Sequence, residues 1–167
     1  MRAILRPRTT LLVFALLGLA CAVPTGEPSL SQIHKIYWPN GRLRAQGQVI
    51  NGLQEGRWTY WHVFGEKKEQ GGFRAGLREA EWTSWHPSGQ LRAVMHYRAD
   101  QPHGPFVSYR TDGSRAEEGQ FVSGERDGRW TSWYPANKGR AEVLYELGQT
   151  VSRRDLPPAV SAGPAER

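Results

Sequence analysis

Between residues 34 and 149 the apolar positions do not gather into helical arcs; they fall in short alternating runs, each broken by glycine. Aromatic residues recur in register along these runs. Trp58, Trp82, Phe106 and Trp130 form one column at a spacing of 24 residues, and Trp61, Trp85, Tyr109 and Trp133 form a second at the same spacing. A third column, Val49, Phe73, Tyr97, Phe121 and Tyr145, keeps the same period. Self-similarity at a fixed period is the signature of a repeat architecture.

Each unit carries two turn signals. The first is a glycine at Gly41, Gly65, Gly89 and Gly113, replaced by Asn137 in the last unit, where a positive φ is tolerated. The second is Asn-Gly at 51–52, Ala-Gly at 75–76 and Ser-Gly at 123–124, and three of the units carry a further glycine after this turn, at Gly56, Gly104 and Gly128. Two reversals per period predict hairpins, with one strand near 42–50 and the next near 57–62. With a half unit at 34–38, where Tyr37 enters the second column, about ten strands are expected in an up-and-down antiparallel meander. At ~4.8 Å per strand such a sheet is roughly 45 Å long. The fold class is therefore all-β: an elongated, single-layered, twisted antiparallel sheet of 24-residue hairpins. All three columns, from Trp58 and Trp61 through Tyr145 and Trp133, are expected to form its core, with Gly47, Gly71 and Gly119 leaving bare backbone beneath a neighbouring ring.

The ends differ in composition. Residues 1–22 carry Arg2, Arg6 and Arg8, then the apolar run LLVFALLGLA at 11–20, and the first acid is Glu27. That is an export signal, too short to span a membrane, and it places the protein in a bacterial cell envelope. Cys21, the only cysteine, ends the run; it resembles the acylated cysteine of a lipobox, although Gly18 stands where a leucine is usual. Cleavage after Ala22 is the alternative, and the lone cysteine at this place favours the lipid anchor. Residues 23–33 are expected to be a flexible tether and the Pro- and Ala-rich 150–167 a disordered tail. Over the whole chain 22 Lys and Arg stand against 16 Asp and Glu; without the three signal arginines 19 remain. So small an excess argues against nucleic acid as a partner.

The units WHPSGQLRAVMHYRADQPHGPFVSYR (85–110) and YRTDGSRAEEGQFVSGERDGRWTSWYP (109–135) resemble MORN repeats of the bacterial variant type, over 34 to about 149. The resemblance implies hairpins stacked into an elongated twisted sheet. Proteins of this variant are similar to the antitoxins of YwqK-type modules, which implies a non-enzymatic binding module whose protein partner is a toxin. An export signal departs from a cytoplasmic antitoxin and suits an immunity protein held in the envelope. The alternative is a structural envelope lipoprotein, or a scaffold with weak contact to anionic lipid.

Sites for chemistry are sparse. His62 and His86 share a column two strands apart, too far to ligate one zinc, and with Arg110 and Tyr134 they read as a solvated polar row. Glu117 and Glu118 are adjacent in a strand and point to opposite faces. No catalytic residue, metal site or cofactor is expected, and the chain is expected to be monomeric. Arg57, Arg78, Arg98, Arg126 and Arg129, with exposed Trp and Tyr, are the candidate contacts for a protein partner.

Overall fold

A computed structural model describes residues 32–158. They form one open antiparallel sheet of 11 strands, each paired with its neighbours in chain order. The strands are β1 (Gln32–Tyr37), β2 (Leu43–Ile50), β3 (Leu53–Trp61), β4 (Lys67–Arg74), β5 (Leu77–Trp85), β6 (Leu91–Arg98), β7 (Gln101–Tyr109), β8 (Arg115–Val122), β9 (Glu125–Trp133), β10 (Arg140–Glu146) and β11 (Gln149–Leu156). The single-layered hairpin meander predicted from the columns is the observed architecture. Residues 1–22 and Cys21 lie outside the described residues.

Two boundaries differ from expectation. β1 starts at Gln32, inside the predicted tether, and β11 occupies the start of the predicted tail, so five hairpins follow β1. The reason lies at Leu147-Gly148, which repeats the two-residue turn of Ser123-Gly124 one period on. Leu147 adopts φ 47 and Gly148 φ 78, like Asn51 and Gly52 at 51 and 79. Both central residues have positive φ, the turn geometry whose twist matches paired strands. Leucine rarely takes that conformation, so its sequence does not announce the turn. Ala99-Asp100, with φ 48 and 66, closes the remaining hairpin in the same way.

The glycines after these turns have a different role from the one expected. Gly56, Gly104 and Gly128 sit not in the turn but inside the strands that carry the first aromatic column, at φ 64, 106 and 68. Each stands opposite an aromatic of the following strand: Gly56 pairs with Phe73, Gly104 with Phe121 and Gly128 with Tyr145. They form β-bulges, and the pairing with the preceding strand shifts beside them. Ala80 occupies this place in the second unit and is held at φ 59.

The core lies on one face of the sheet. Trp58, Trp82 and Trp130 are 2 %, 3 % and 1 % exposed although no second layer covers them. Each indole lies on the bare backbone of the strand before it, over Gly47, Gly71 and Gly119, as the sequence predicted. Each also donates its Nε1–H to a backbone carbonyl one residue along, Gln48 at 3.0 Å, Gly72 at 3.0 Å and Gln120 at 3.1 Å. A glycine in a strand would otherwise weaken it; here it admits a ring and frees a carbonyl to satisfy the buried indole.

Candidate interaction surfaces

Successive residues of a strand point to opposite faces, and Trp58 and Trp61 are three apart with unbroken pairing to β4 up to Tyr60. The first and second aromatic columns therefore lie on opposite faces. This corrects the expectation that all three columns share one core. On the core face the rings touch in two series: Trp58, Tyr60, Phe73, Trp82 and Tyr97, then Phe106, Phe121, Trp130 and Tyr145. On the reverse face Trp61, Trp85, Tyr109 and Trp133 are half-buried and make no ring pair among the described residues. Their neighbours are cations instead: Lys67 lies 5.6 Å from the Trp85 ring centroid and Arg115 lies 5.9 Å from that of Trp133.

The candidate contact arginines divide as well. Arg57, Arg98 and Arg129 are exposed. Arg78 and Arg126 are not free, because each guanidinium is laid over a core tryptophan, 4.2 Å from Trp82 and 4.0 Å from Trp130. Arg78 pairs with Glu69 at 3.3 Å, and Arg126 with Glu117 at 2.8 Å. Their phenolic neighbours, the hydroxyls of Tyr97 and Tyr145, each stand 3.5 Å from the Nη1 group. The guanidiniums complete the burial of indoles that no other layer covers.

These arginine–glutamate stations recur every 48 residues, twice the aromatic period. At the places between them stand Ala45, Ala93 and Ala141 instead of glutamate, and Gln54 and Pro102 instead of arginine. The reverse face keeps the same double period, since Leu43 and Leu91 alternate with Lys67 and Arg115. Charged units and bare units thus alternate along the sheet. The double period is open to sequence reading through Glu69 and Glu117, which stand 48 residues apart with alanine at the place between them.

The third unit departs furthest from the others. Phe106 replaces tryptophan, Met95 replaces the glycine opposite it, and Pro102 replaces the arginine that would cover the ring. The two ring series break here, and an open depression of ≈ 470 Å³ is left on the core face. Ala93, Met95 and Phe106 lie at its base; Trp82, Tyr97 and the Arg78/Glu69 pair form one wall.

The histidine column is a clamp and not a solvated row. His62 Nε2 lies 3.3 Å from the Trp85 carbonyl and His86 Nε2 lies 3.0 Å from that of Tyr109, which requires the proton on Nε2. Arg110 bonds the Trp133 carbonyl in the same manner. A parallel clamp holds the turns: the Glu55 and Glu79 carboxylates accept from the backbone N–H of Ala75 and Ala99 at 2.8 and 3.0 Å. Glu117 and Glu118 do point apart, the first to Arg126 and the second to Arg115. Burial raises the pKa of the Tyr60 hydroxyl, against the lowering effect of its bond from Gln54. Asp155 is lowered by hydrogen bonds from Tyr134 first and Arg153 second. No group of three or more potential metal ligands occurs among the described residues, and none of their helices is long and apolar enough to cross a membrane.

The sequence profile of the MORN repeat variant matches residues 78–99 and 126–147. The two matched segments begin at Arg78 and Arg126 and so lie one double period apart; each covers the arginine of a charged station, the rest of its strand and the strand that follows, while the partner glutamates Glu69 and Glu117 stand before them. No curated protein sequence matches the chain.

Proposed function

We propose that the protein is an exported, non-enzymatic binding module whose sheet engages a protein partner. One observation supports this reading above the rest: the reverse face carries a row of half-exposed Trp61, Trp85, Tyr109 and Trp133, interleaved with Lys67 and Arg115 and not needed to fill the core. Tryptophan, tyrosine and arginine are the residues enriched where protein interfaces hold their energy. A rigid strand array also holds such side chains in fixed relative positions, so less ordering entropy is lost on association.

The likeness to antitoxins of the bacterial repeat variant adds a finer proposal, that the partner is a toxin and the chain its immunity protein, held in the envelope by acylated Cys21. The test is cross-linking of the tagged, exported chain in its own host followed by mass spectrometry. A single stoichiometric protein, lost when Trp85 and Trp133 are both replaced by serine, is the expected result. Recovery of lipids and abundant envelope components alone would favour a structural lipoprotein. Flotation of the acyl-free chain with anionic vesicles separates that case further: the small cation excess predicts none at physiological salt.

A further inference from the structure

We propose that the depression on the core face is the socket of the partner: it receives one bulky apolar side chain from an extended, acidic segment of the bound protein. The inference rests on the binding-module reading and assigns it a second contact, on the face opposite the tryptophan row. The chain itself shows what the socket lacks. In the second and fourth units a tryptophan, a covering arginine and its glutamate fill the corresponding space; in the third, Phe106, Pro102 and Ala93 leave ≈ 470 Å³ open. That lies within the ~300–1,000 Å³ range of ligand pockets. Its apolar lining comes from the rings of Trp82, Tyr97 and Phe106 and the thioether of Met95, with the hydroxyls of Ser84 and Ser108 beside them, so an aromatic group, above all one with a polar edge, matches it.

Charge decides the rest of the occupant. Glu69 is already paired with Arg78, whereas Arg92, exposed at the rim, has no ion pair among the described residues. With Arg78 and Arg92 against Glu69, the lining holds one cation in excess. A carboxylate beside the inserted side chain would meet Arg92, and a lysine there would be repelled. The second and fourth units supply their own ring, cation and carboxylate, and the first still lays Trp58 over Gly47, whereas the third has only Phe106 opposite Met95, and so it is in the third, inside the sheet, that another protein can supply the missing ring.

The test uses the full chain labelled with 13C at its methionine methyls. Met95 is at the base of the socket and the only other methionine is Met1, so one resonance reports on the site. The probes are blocked peptides with a central tryptophan flanked by aspartates, a version with alanine at the centre, and a version with lysines as flanks. The tryptophan-centred acidic peptide should shift the Met95 resonance saturably, the lysine version should bind at least about tenfold more weakly, and the alanine version should give no shift. The double variant Ala93→Glu with Pro102→Arg writes the charged pair of the neighbouring units into the third, and should abolish the shift while leaving circular dichroism and melting unchanged. A single variant, Arg92→Ser, covers the case in which that pair misfolds: it should weaken the acidic peptide to the level of the lysine one. Absence of a saturable shift at about 1 mM peptide, or binding undiminished in the folded variants, would overturn the socket. A partner captured in the host equally by wild type and double variant would leave the binding module standing and remove the socket; failure to capture any protein partner would remove the module itself.

Discussion

Gly71→Ala is the sharpest test of how the single layer buries tryptophan. A Cβ at this position would sit more than about 1 Å inside the ~3.5 Å contact distance of carbon atoms, against Cδ2, Cε2 and Cγ of Trp82. The indole is rigid and the backbone beneath it is paired on both sides, so the ring must lift. Lifting it strains the packing by about 1–3 kcal/mol. It also breaks the bond from Nε1 to the Gly72 carbonyl, worth about 1 kcal/mol, and loosens the Arg78 stack, worth about 0.5–1 kcal/mol. The total is about 2.5–5 kcal/mol, or a fall in melting temperature of roughly 10–20 °C for a domain of this size. The third unit provides the control, since Phe106 there lies opposite Met95, a residue with a Cβ. In a Trp82→Phe background the same Gly71→Ala change should cost under about 1 kcal/mol, giving a coupling near 2 kcal/mol in a double-mutant cycle. Equilibrium urea unfolding followed by circular dichroism measures all four proteins. A Gly71→Ala protein within about 0.5 kcal/mol of wild type, or an equal penalty in both backgrounds, would refute the account.

Other expectations follow from the same contacts. Trp82→Ala, in the middle of the array, should cost about 3–5 kcal/mol, and Tyr145→Ala, near its end and only half-buried, should cost less in the same urea assay. Ala80→Gly should stabilise by about 1 kcal/mol, because φ 59 strains an alanine where the other units use glycine; a destabilised variant would show the bulge geometry to be wrong. Tyr134→Phe removes the larger cause of the lowered Asp155 pKa, so the carboxyl should titrate nearer its ordinary value in an NMR pH series. Since the folded value is depressed, whatever stability this carboxylate adds is present above its unfolded pKa and fades as pH falls through the folded one. Tyr60 has the opposite sign: its raised pKa means a contribution held below pH 10 and lost on ionisation at higher pH, visible as a delayed phenolate transition in difference absorbance.

The repeat length, the hairpins and the glycine-under-ring packing were readable because every unit has one length, so a column in the sequence is a row on the sheet. Three features escaped for separate reasons. β11 is hidden in the sequence because Leu147 is a residue whose chemistry does not signal positive φ, and because Arg154 and Pro157 stand where earlier units have tryptophan. The second column was grouped with the core although its odd spacing from Trp58 places it on the reverse face. Arg78 and Arg126 were read as free contacts because their partners, Glu69 and Glu117, are nine residues earlier and come alongside only through strand pairing. A hairpin period can be counted along the chain, but an ion pair across strands needs the register as well.

The alternation of charged and bare units sets the step in which such a sheet can change length. Excising one 24-residue hairpin would bring two like units side by side, glutamate next to glutamate or bare ring next to bare ring. Excising 75–122 would instead place Ser123 after Arg74, where Ala75 stood, and every surviving neighbour would find the kind of neighbour it had before. The sheet would be shorter by four strands, about 19 Å, with its charge order intact. In this protein, gain or loss of reach comes in pairs of hairpins.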